Sequence, residues 1–441
     1  MLVRELLTED FLDQAYRTAG VRRRNSLYNP LAVMFLMMAQ RMRAGESLEY
    51  AVMTLLRGLP ASFWPTPCKR VQRWQQEGRG PSGNTAAYNQ ARQALPKSVV
   101  EHSCDRIFEQ LVARMDQSGP VESGRAFILD GSSVRAAHTK ELCKLYPPGS
   151  NQHGEAHWPV LRVLVAHDLD TGLAMRPEWG ALFGDNAVSE QSLLDRAIDR
   201  LPAGSTVIGD SNFGVFSVAW AADQRKHPVL LRMTLQRAKR LAGEPLRDGI
   251  DREVVWKHTR WDRSGHPDLP ADACIRGRLI VRQVQPDNGA RPFLLALFTT
   301  LTGPQEKILE LYGRRWNVET DLRTLKAELC LEQLTCTTPD MLSKEIQMAV
   351  AAYNLVRAMI MVASTQSGIP PRGYSFKRVR LILETFTPLI TGAPSPEAAR
   401  KAFEQMMRYI QQARLPDRRR KHGPYRRKAW PKPPTASKRK R

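Results

Sequence analysis

Carboxylates are scarce in this chain. Across 441 residues, 44 Asp and Glu stand against 66 Lys and Arg, a formal net charge of +22 at pH 7. That imbalance calls for a polyanionic partner, most simply nucleic acid, although a ribosomal or membrane-surface protein would share it. Cysteine is sparse as well. The six, Cys68, Cys104, Cys143, Cys274, Cys330 and Cys336, include no Cys-x-x-Cys pair. This excludes zinc-knuckle and thioredoxin-like readings and leaves reduced thiols of a cytoplasmic protein as the expectation. The longest apolar run, "LAVMFLMMA" from Leu31, is too short for a bilayer and suits a core helix. The opening residues "MLVRELLTEDF" are charged and amphipathic rather than signal-like, so no membrane association is expected. Internal repeats are missing. So is a zinc-protease motif: "HGEAH" is too short for one, and His138, His153 and His157 are not spaced as ligands on one helix.

What is present is an ordinary globular composition, 42% hydrophobic and 25% charged, long enough for two or three domains. Residues 1–118 read as helical. "TEDFLDQAYRTAG" has a Thr cap and a Gly stop. "NPLAVMFLMMAQRMRAGESLEYAVMTLLRG" reads as two helices broken at Gly45 with Ser47 as a cap, and "ARQALPKSVVEHSCDRIFEQLVARM" supplies one or two more. Arg22, Arg23 and Arg24 fall between helices, either as a solvated turn or as phosphate contacts. Over residues 119–233 short apolar runs alternate with helical patterns, which predicts an α/β core with a mixed sheet. Residues 234–300 read as a small β-rich insertion, residues 301–333 return to the core, and residues 334–416 are helical again. The last segment, 417–441, is "DRRRKHGPYRRKAWPKPPTASKRKR", whose basic, Pro-rich composition predicts a disordered tail.

Two carboxylates close short apolar runs, Asp130 in "AFILD" and Asp210 in "STVIGD". In open α/β sheets ligands gather at the carboxyl ends of strands. Two Asp side chains on neighbouring strands would repel each other unless a cation neutralised them. A third carboxylate from a helix, Glu319, completes an oxygen set suited to Mg²⁺ or Mn²⁺. Two such ions about 4 Å apart can activate water and stabilise the leaving oxygen of a phosphodiester. The plainer readings are a turn or cap residue for either Asp, and an ion pair with Arg315 or Arg323 for Glu319. Asp168 and Asp170 are rival carboxylates, but in "DLDTG" they read as a hairpin turn. Glu319 lies in "LYGRRWNVETDLRTLKAEL", residues 311–329. On one continuous helix Tyr312, Arg315, Glu319 and Lys326 share a wedge of about 60°, with Trp316 and Arg323 at its edge. Beside it Val318, Leu322, Leu325 and Leu329 form an apolar stripe that should face a core.

"YGRRWNVETDLRTLK" fits the signature Tyr-x2-Arg-x3-Glu-x6-Lys at every fixed position. In this the chain resembles the DDE transposases of bacterial insertion sequences, in the insertion sequence four branch. "ILDGSS" is similar to that family's first-Asp motif and "VIGDSNF" to its second, with Asn212 standing where Gly is frequent. The helical N-terminal region and the basic tail are similar too, so the resemblance covers nearly the whole chain. It implies an RNase H-like fold with a β insertion before the catalytic Glu. Asp130, Asp210 and Glu319 would be catalytic and hold two Mg²⁺ ions. The implied reaction is hydrolysis at the ends of the element, followed by joining of the freed 3′-OH to target double-stranded DNA. The implied partners are DNA and, in the synapse, a second copy of the chain, with no small-molecule substrate, in the cytoplasm at the nucleoid. Tyr312, Arg315 and Lys326 would grip phosphates beside the cut, with Arg323 nearby. A catalytically silent or repurposed DNA-binding copy is the alternative. Another RNase H-fold nuclease, such as a junction resolvase, would lack the N-terminal helices and the four-residue stripe. Some relatives stack a flipped base on an aromatic ring of the insertion. Phe293 in "RPFLLALFTTL" occupies that place, although Leu294, Leu295 and Leu297 around it favour a core position, and Trp256 and Trp261 are rivals.

Overall fold

The short apolar runs become strands: β1 (Ala126–Arg135), β2 (Pro148–Asn151), β3 (Gly154–Asp168), β4 (Glu178–Ala181), β5 (Thr206–Gly209), β6 (Val229–Arg232), β7 (Ile250–Lys257), β8 (Cys274–Val284) and β9 (Phe293–Thr299). This computed structural model describes residues 2–43, 47–78, 80–116, 124–152, 154–266, 268–286 and 291–416. The break anticipated at Gly45 and the basic segment 417–441 lie outside the described residues. The strands form one mixed sheet in the order β2-β3-β1-β5-β6-β9-β8-β7, with β4 also pairing β3. β1 runs antiparallel to β3 and parallel to β5, which is parallel to β6. That is the RNase H-like arrangement. The strands of residues 234–300 do not fold apart from it: β9 pairs antiparallel with β6, so the insertion extends the same sheet.

Helices precede, cover and follow the sheet. The first group is α1 (Leu2–Leu6), α2 (Glu9–Thr18), α3 (Pro30–Met42), α4 (Leu48–Leu56), α5 (Lys69–Glu77), α6 (Ala86–Ala94) and α7 (Lys97–Asp116). Thr8, Asn29 and Ser47 cap α2, α3 and α4 through their side chains, each accepting from a backbone N–H of the first turn. α3 is buried on nearly every face, as its unbroken apolar run requires. Between the strands lie α8 (Lys140–Leu145), α9 (Glu190–Ala197), α10 (Phe216–Gln224), α11 (Leu235–Ala242) and α12 (Arg260–Gly265). After β9 come α13 (Gln305–Gly313), α14 (Asn317–Glu328), α15 (Pro339–Ser367), α16 (Phe376–Thr391) and α17 (Pro396–Gln412).

α15 joins these parts. It is 29 residues long, and its apolar content matches a membrane span, but 89% of its most apolar window is buried inside the fold. It packs on α7 and α3 and on α16 and α17, with Met348, Ala351, Leu355 and Ala358 in one core cluster and Ile346, Val350, Tyr353 and Val356 in the other. Most of its buried polar side chains have partners, as a protein interior requires, although the Gln347 Oε1 has none among the described residues. Glu345 forms ion pairs with Arg41 of α3 and Arg92 of α6. Asn354 pairs with both the N–H and the carbonyl of Ala174, at 2.8 Å each, and so holds the turn after β3. Arg357 reaches Asp321 of α14 at 2.6 Å, and Arg372 meets the other Asp321 oxygen at 2.6 Å. Burial alone would raise the Asp321 pKa, but Arg357, His167 and Arg372 outweigh burial and hold it below the usual carboxylate range.

Candidate active site and DNA interface

Asp130 and Asp210 come together because their strands are parallel neighbours. Ile128 of β1 lies opposite Ile208 of β5, and each aspartate follows two residues later. Asp130 is not at a strand end as anticipated. β1 continues to Arg135 along β3, while its pairing with β5 stops at Ile128, so Asp130 sits where one side of the strand loses its partner. Burial, with the charges of Asp210 and Glu190, pushes the Asp130 carboxyl up to about 6, against the pull of the Gly131 N–H and Arg315. Asp210 begins a tight turn in which the N–H of Asn212 donates to its Oδ1 at 2.8 Å. The hairpin-turn reading of Asp168 and Asp170 holds. Asp168 accepts from Asp170 N, Thr171 N and Thr171 Oγ1 and pairs with Arg125, and Asp170 pairs with Arg314.

The stripe on residues 311–329 is not one continuous helix. α13 ends at Gly313, a 3₁₀ turn spans Arg314–Trp316, and α14 starts at Asn317. The tighter turn changes the rotation between Tyr312 and Glu319, so the four residues do not share one exposure. Tyr312 and Arg315 are buried, Lys326 is half-buried, and Glu319 is exposed. The apolar stripe behaves as the spacing implies: Val318, Leu322, Leu325 and Leu329 are all buried. Glu319 lies 3.9 Å from the Arg315 guanidinium. Among the described residues no group of three His, Cys, Asp or Glu side chains stands ready to hold a metal. Asp130 and Asp210 still offer the hard oxygen donors that Mg²⁺ takes, with their mutual repulsion unrelieved. The Tyr312 hydroxyl and the Arg315 Nε are buried with no hydrogen-bond partner in the fold. Two orphaned donors beside a carboxylate pair fit an anion such as a phosphate.

Arg232, which sequence reasoning passed over, links this centre to the insertion. Its charge acts on Tyr312, and its guanidinium lies 5.7 Å from the ring centroid of Phe293. In the sequence it closes a short apolar run, "PVLLR", as the aspartates close theirs, and that was the available signal. Phe293 is not the core residue its apolar neighbours favoured. It opens β9 with 41% of its surface exposed, while Leu295 and Leu297 carry the core face. Of its rivals, Trp256 is buried against Phe216 and Phe298, and Trp261 is exposed on α12. Among the three basic residues 22–24, Arg23 is engaged by Glu9 at 2.7 Å and Asp13 at 2.9 Å, so its role is to fasten the loop to α2. Arg22 and Arg24 are exposed and line a cleft of about 750 Å³ with Arg70 of α5, and among the described residues no carboxylate lines it. Arg323 is exposed on α14.

Residues 122–355 match the family described as Transposase DDE domain. The transposase InsG for insertion sequence element IS4 of Escherichia coli (strain K12) is 24% identical over 384 residues, covering 82% of this chain and 80% of that protein. With the match running from the strand of Asp130 into α15, across both aspartates and the Tyr-Arg-Glu-Lys signature, the chain belongs to the DDE transposases.

Proposed function

We propose that this transposase binds the terminal inverted repeats of its own element, cleaves the DNA ends by metal-dependent hydrolysis and joins the freed 3′-OH to target DNA. The observation that carries this reading is the pairing of Asp130 with Asp210 beside the orphaned Tyr312 hydroxyl and Arg315 Nε. Asp130, Asp210 and Glu319 would hold Mg²⁺ or Mn²⁺, two ions in all, which supply an activated water and stabilise the leaving oxygen. Arg315 and Tyr312 bind the phosphate next to the cut, and Lys326 adds a point charge along α14. Glu319 would hold the cation with the carboxylate that lies 3.9 Å from Arg315. Residues 1–118 recognise the ends, with Arg22 and Arg24 on the phosphates. Residues 119–233 and 301–333 form the catalytic core, and residues 334–416 brace it. Two copies act together in the synapse, in the cytoplasm at the nucleoid. The test compares Asp130→Ala, Asp210→Ala and Glu319→Ala with wild type on a labelled end fragment with Mg²⁺, beside a gel-shift assay. Each variant should bind the ends and fail to cut. Robust cleavage by any one of them removes that residue from the site, and a wild-type protein that binds without cutting would instead be a DNA-binding copy.

A further inference from the structure

Two residues of the aspartate motifs touch the same side chain. Gly131 follows Asp130, and a methyl group built on it would overlap the Glu190 carboxylate. Asn212 lies two residues after Asp210, and its Nδ2 donates to Glu190 Oε2 at 2.5 Å. Glu190 is the first residue of α9, held there by a capping box at Ser189. Its other oxygen faces Arg162 of β3 at 3.5 Å, and Arg162 is one residue along from the partner of Ser132 on β1. The next residue of α9, Gln191, donates to the Asn212 carbonyl at 2.6 Å and to its Oδ1 at 3.0 Å. A continuous path thus runs from β3 through Arg162, Glu190 and Asn212 to the Asp210 carboxylate, and it crosses directly over Gly131.

We propose that Glu190 is a positioning residue which, through Asn212, fixes the Asp210 turn against β1 and so sets the spacing of the two aspartates. This rests on the reading of Asp130 and Asp210 as cation ligands. It accounts for both motif details at once. Gly131 leaves room for the Glu190 carboxylate, and Asn212 supplies the amide that Glu190 and Gln191 hold from either side. A glycine at 212 would leave the turn without that tie. Residues that orient metal ligands through hydrogen bonds commonly change metal affinity by about 10–100-fold when removed.

The experiment measures Mn²⁺ binding by electron paramagnetic resonance on the full-length protein with an uncleavable end duplex, so no turnover is needed. Glu190→Ala and Asn212→Ala should each weaken Mn²⁺ binding about 10-fold or more. The double variant should be no weaker than the worse single one, because both act on one path. Glu190→Gln keeps an oxygen for Asn212 and should recover most of the affinity, with gel-shift affinity for the duplex unchanged throughout. Gly131→Ala should imitate Glu190→Ala. Wild-type affinity in folded Glu190→Ala overturns the proposal, as do fully additive losses. Equal losses from Glu190→Gln and Glu190→Ala overturn it too, since Glu190 would then be a metal ligand itself. Asp130→Ala separates the two layers. If it abolishes Mn²⁺ binding while Glu190→Ala does not, only the positioning role falls. If Asp130→Ala leaves binding intact, the cation reading of the aspartates falls with it.

Discussion

Replacing Asp321 with Asn removes a charge from the best-enclosed ion cluster of the fold. Its carboxylate is fully buried, 2.6 Å from Arg357 and 2.6 Å from Arg372, and it accepts the Tyr353 hydroxyl at 3.1 Å. An asparagine fills the same space but leaves both guanidiniums without a counter-charge. Losing one member of a buried pair costs about 3–5 kcal/mol, and here two cations are stranded, so the upper part of that range is expected. The loss should reach function, because Asp321 is two residues from Glu319 on α14 and ties that helix to α15 and Arg372. Arg372 also donates to the carbonyls of Asp168 and Leu169, so the turn after β3 shares the same anchor. Urea unfolding followed by tryptophan fluorescence measures the stability change, and cleavage of an end fragment measures the positional one. Exchanging Asp321, Arg357 and Arg372 together for Leu, Met and Met should restore most of the stability, since apolar groups of similar volume replace such clusters at little cost. A midpoint for Asp321→Asn equivalent to less than about 1 kcal/mol of loss would refute the reasoning, because it would mean that the cluster contributes no more than an exposed ion pair.

The remaining predictions concern other parts of the molecule. Phe293→Ala should leave first-strand nicking intact and lower the yield of hairpin-ended product, with recovery in Phe293→Trp; equal hairpin yield from alanine and wild type removes the ring from that role. Deleting residues 418–441 should weaken binding to random and end DNA alike and flatten the dependence of binding on salt, which a set of titrations at several salt concentrations reads directly. His167 is buried, and burial, only partly offset by Asp321, lowers its pKa to about 4, so it is neutral in the fold. Between about pH 6.5 and pH 4 the unfolded chain takes up a proton at this position that the folded one refuses, so the His167 contribution to stability falls with pH across that window by about 3 kcal/mol. The Asp321 contribution is lost only at lower pH, below the ordinary Asp value. Asp130, held near 6 in the fold, works in the opposite sense over part of this window, so the readout is a difference: on going from pH 6.5 to pH 4 the urea midpoint of His167→Leu should fall less than that of wild type.

Local patterns carried most of the strands and helix caps. The strand-forming runs around Asp130 and Asp210 need only short-range apolar content to be seen, and Thr8 and Ser47 cap as their sequences imply. What local pattern could not carry was pairing. That Asp130 lies inside a strand follows from β3 continuing beside β1 after β5 has ended, a property of three segments together. The 3₁₀ turn at Arg314–Trp316 interrupts a spacing that suits one helix, and Gly313 was its only local sign. Glu190 joins the aspartates through packing of α9 on β3 and β4, with no motif of its own. Arg23 was separable from Arg22 and Arg24 in principle. Glu9 and Asp13 are spaced one turn apart on α2 and present two carboxylates to one cation.

The placement of α15 also sets an order of assembly. The apolar face of α3 and the charges of Arg41 and Arg92 are covered by a helix that begins at Pro339. Roughly 300 residues separate them, which at ordinary synthesis rates is about 15–60 s between the emergence of α3 and that of its cover. During that interval the first helices carry an uncovered apolar surface and two unpaired guanidiniums on the ribosome. A chain released before Pro339 never completes its amino-terminal third. Premature termination therefore yields no amino-terminal fragment with a finished core, and a fragment meant to act alone would have to carry its own replacement for α15.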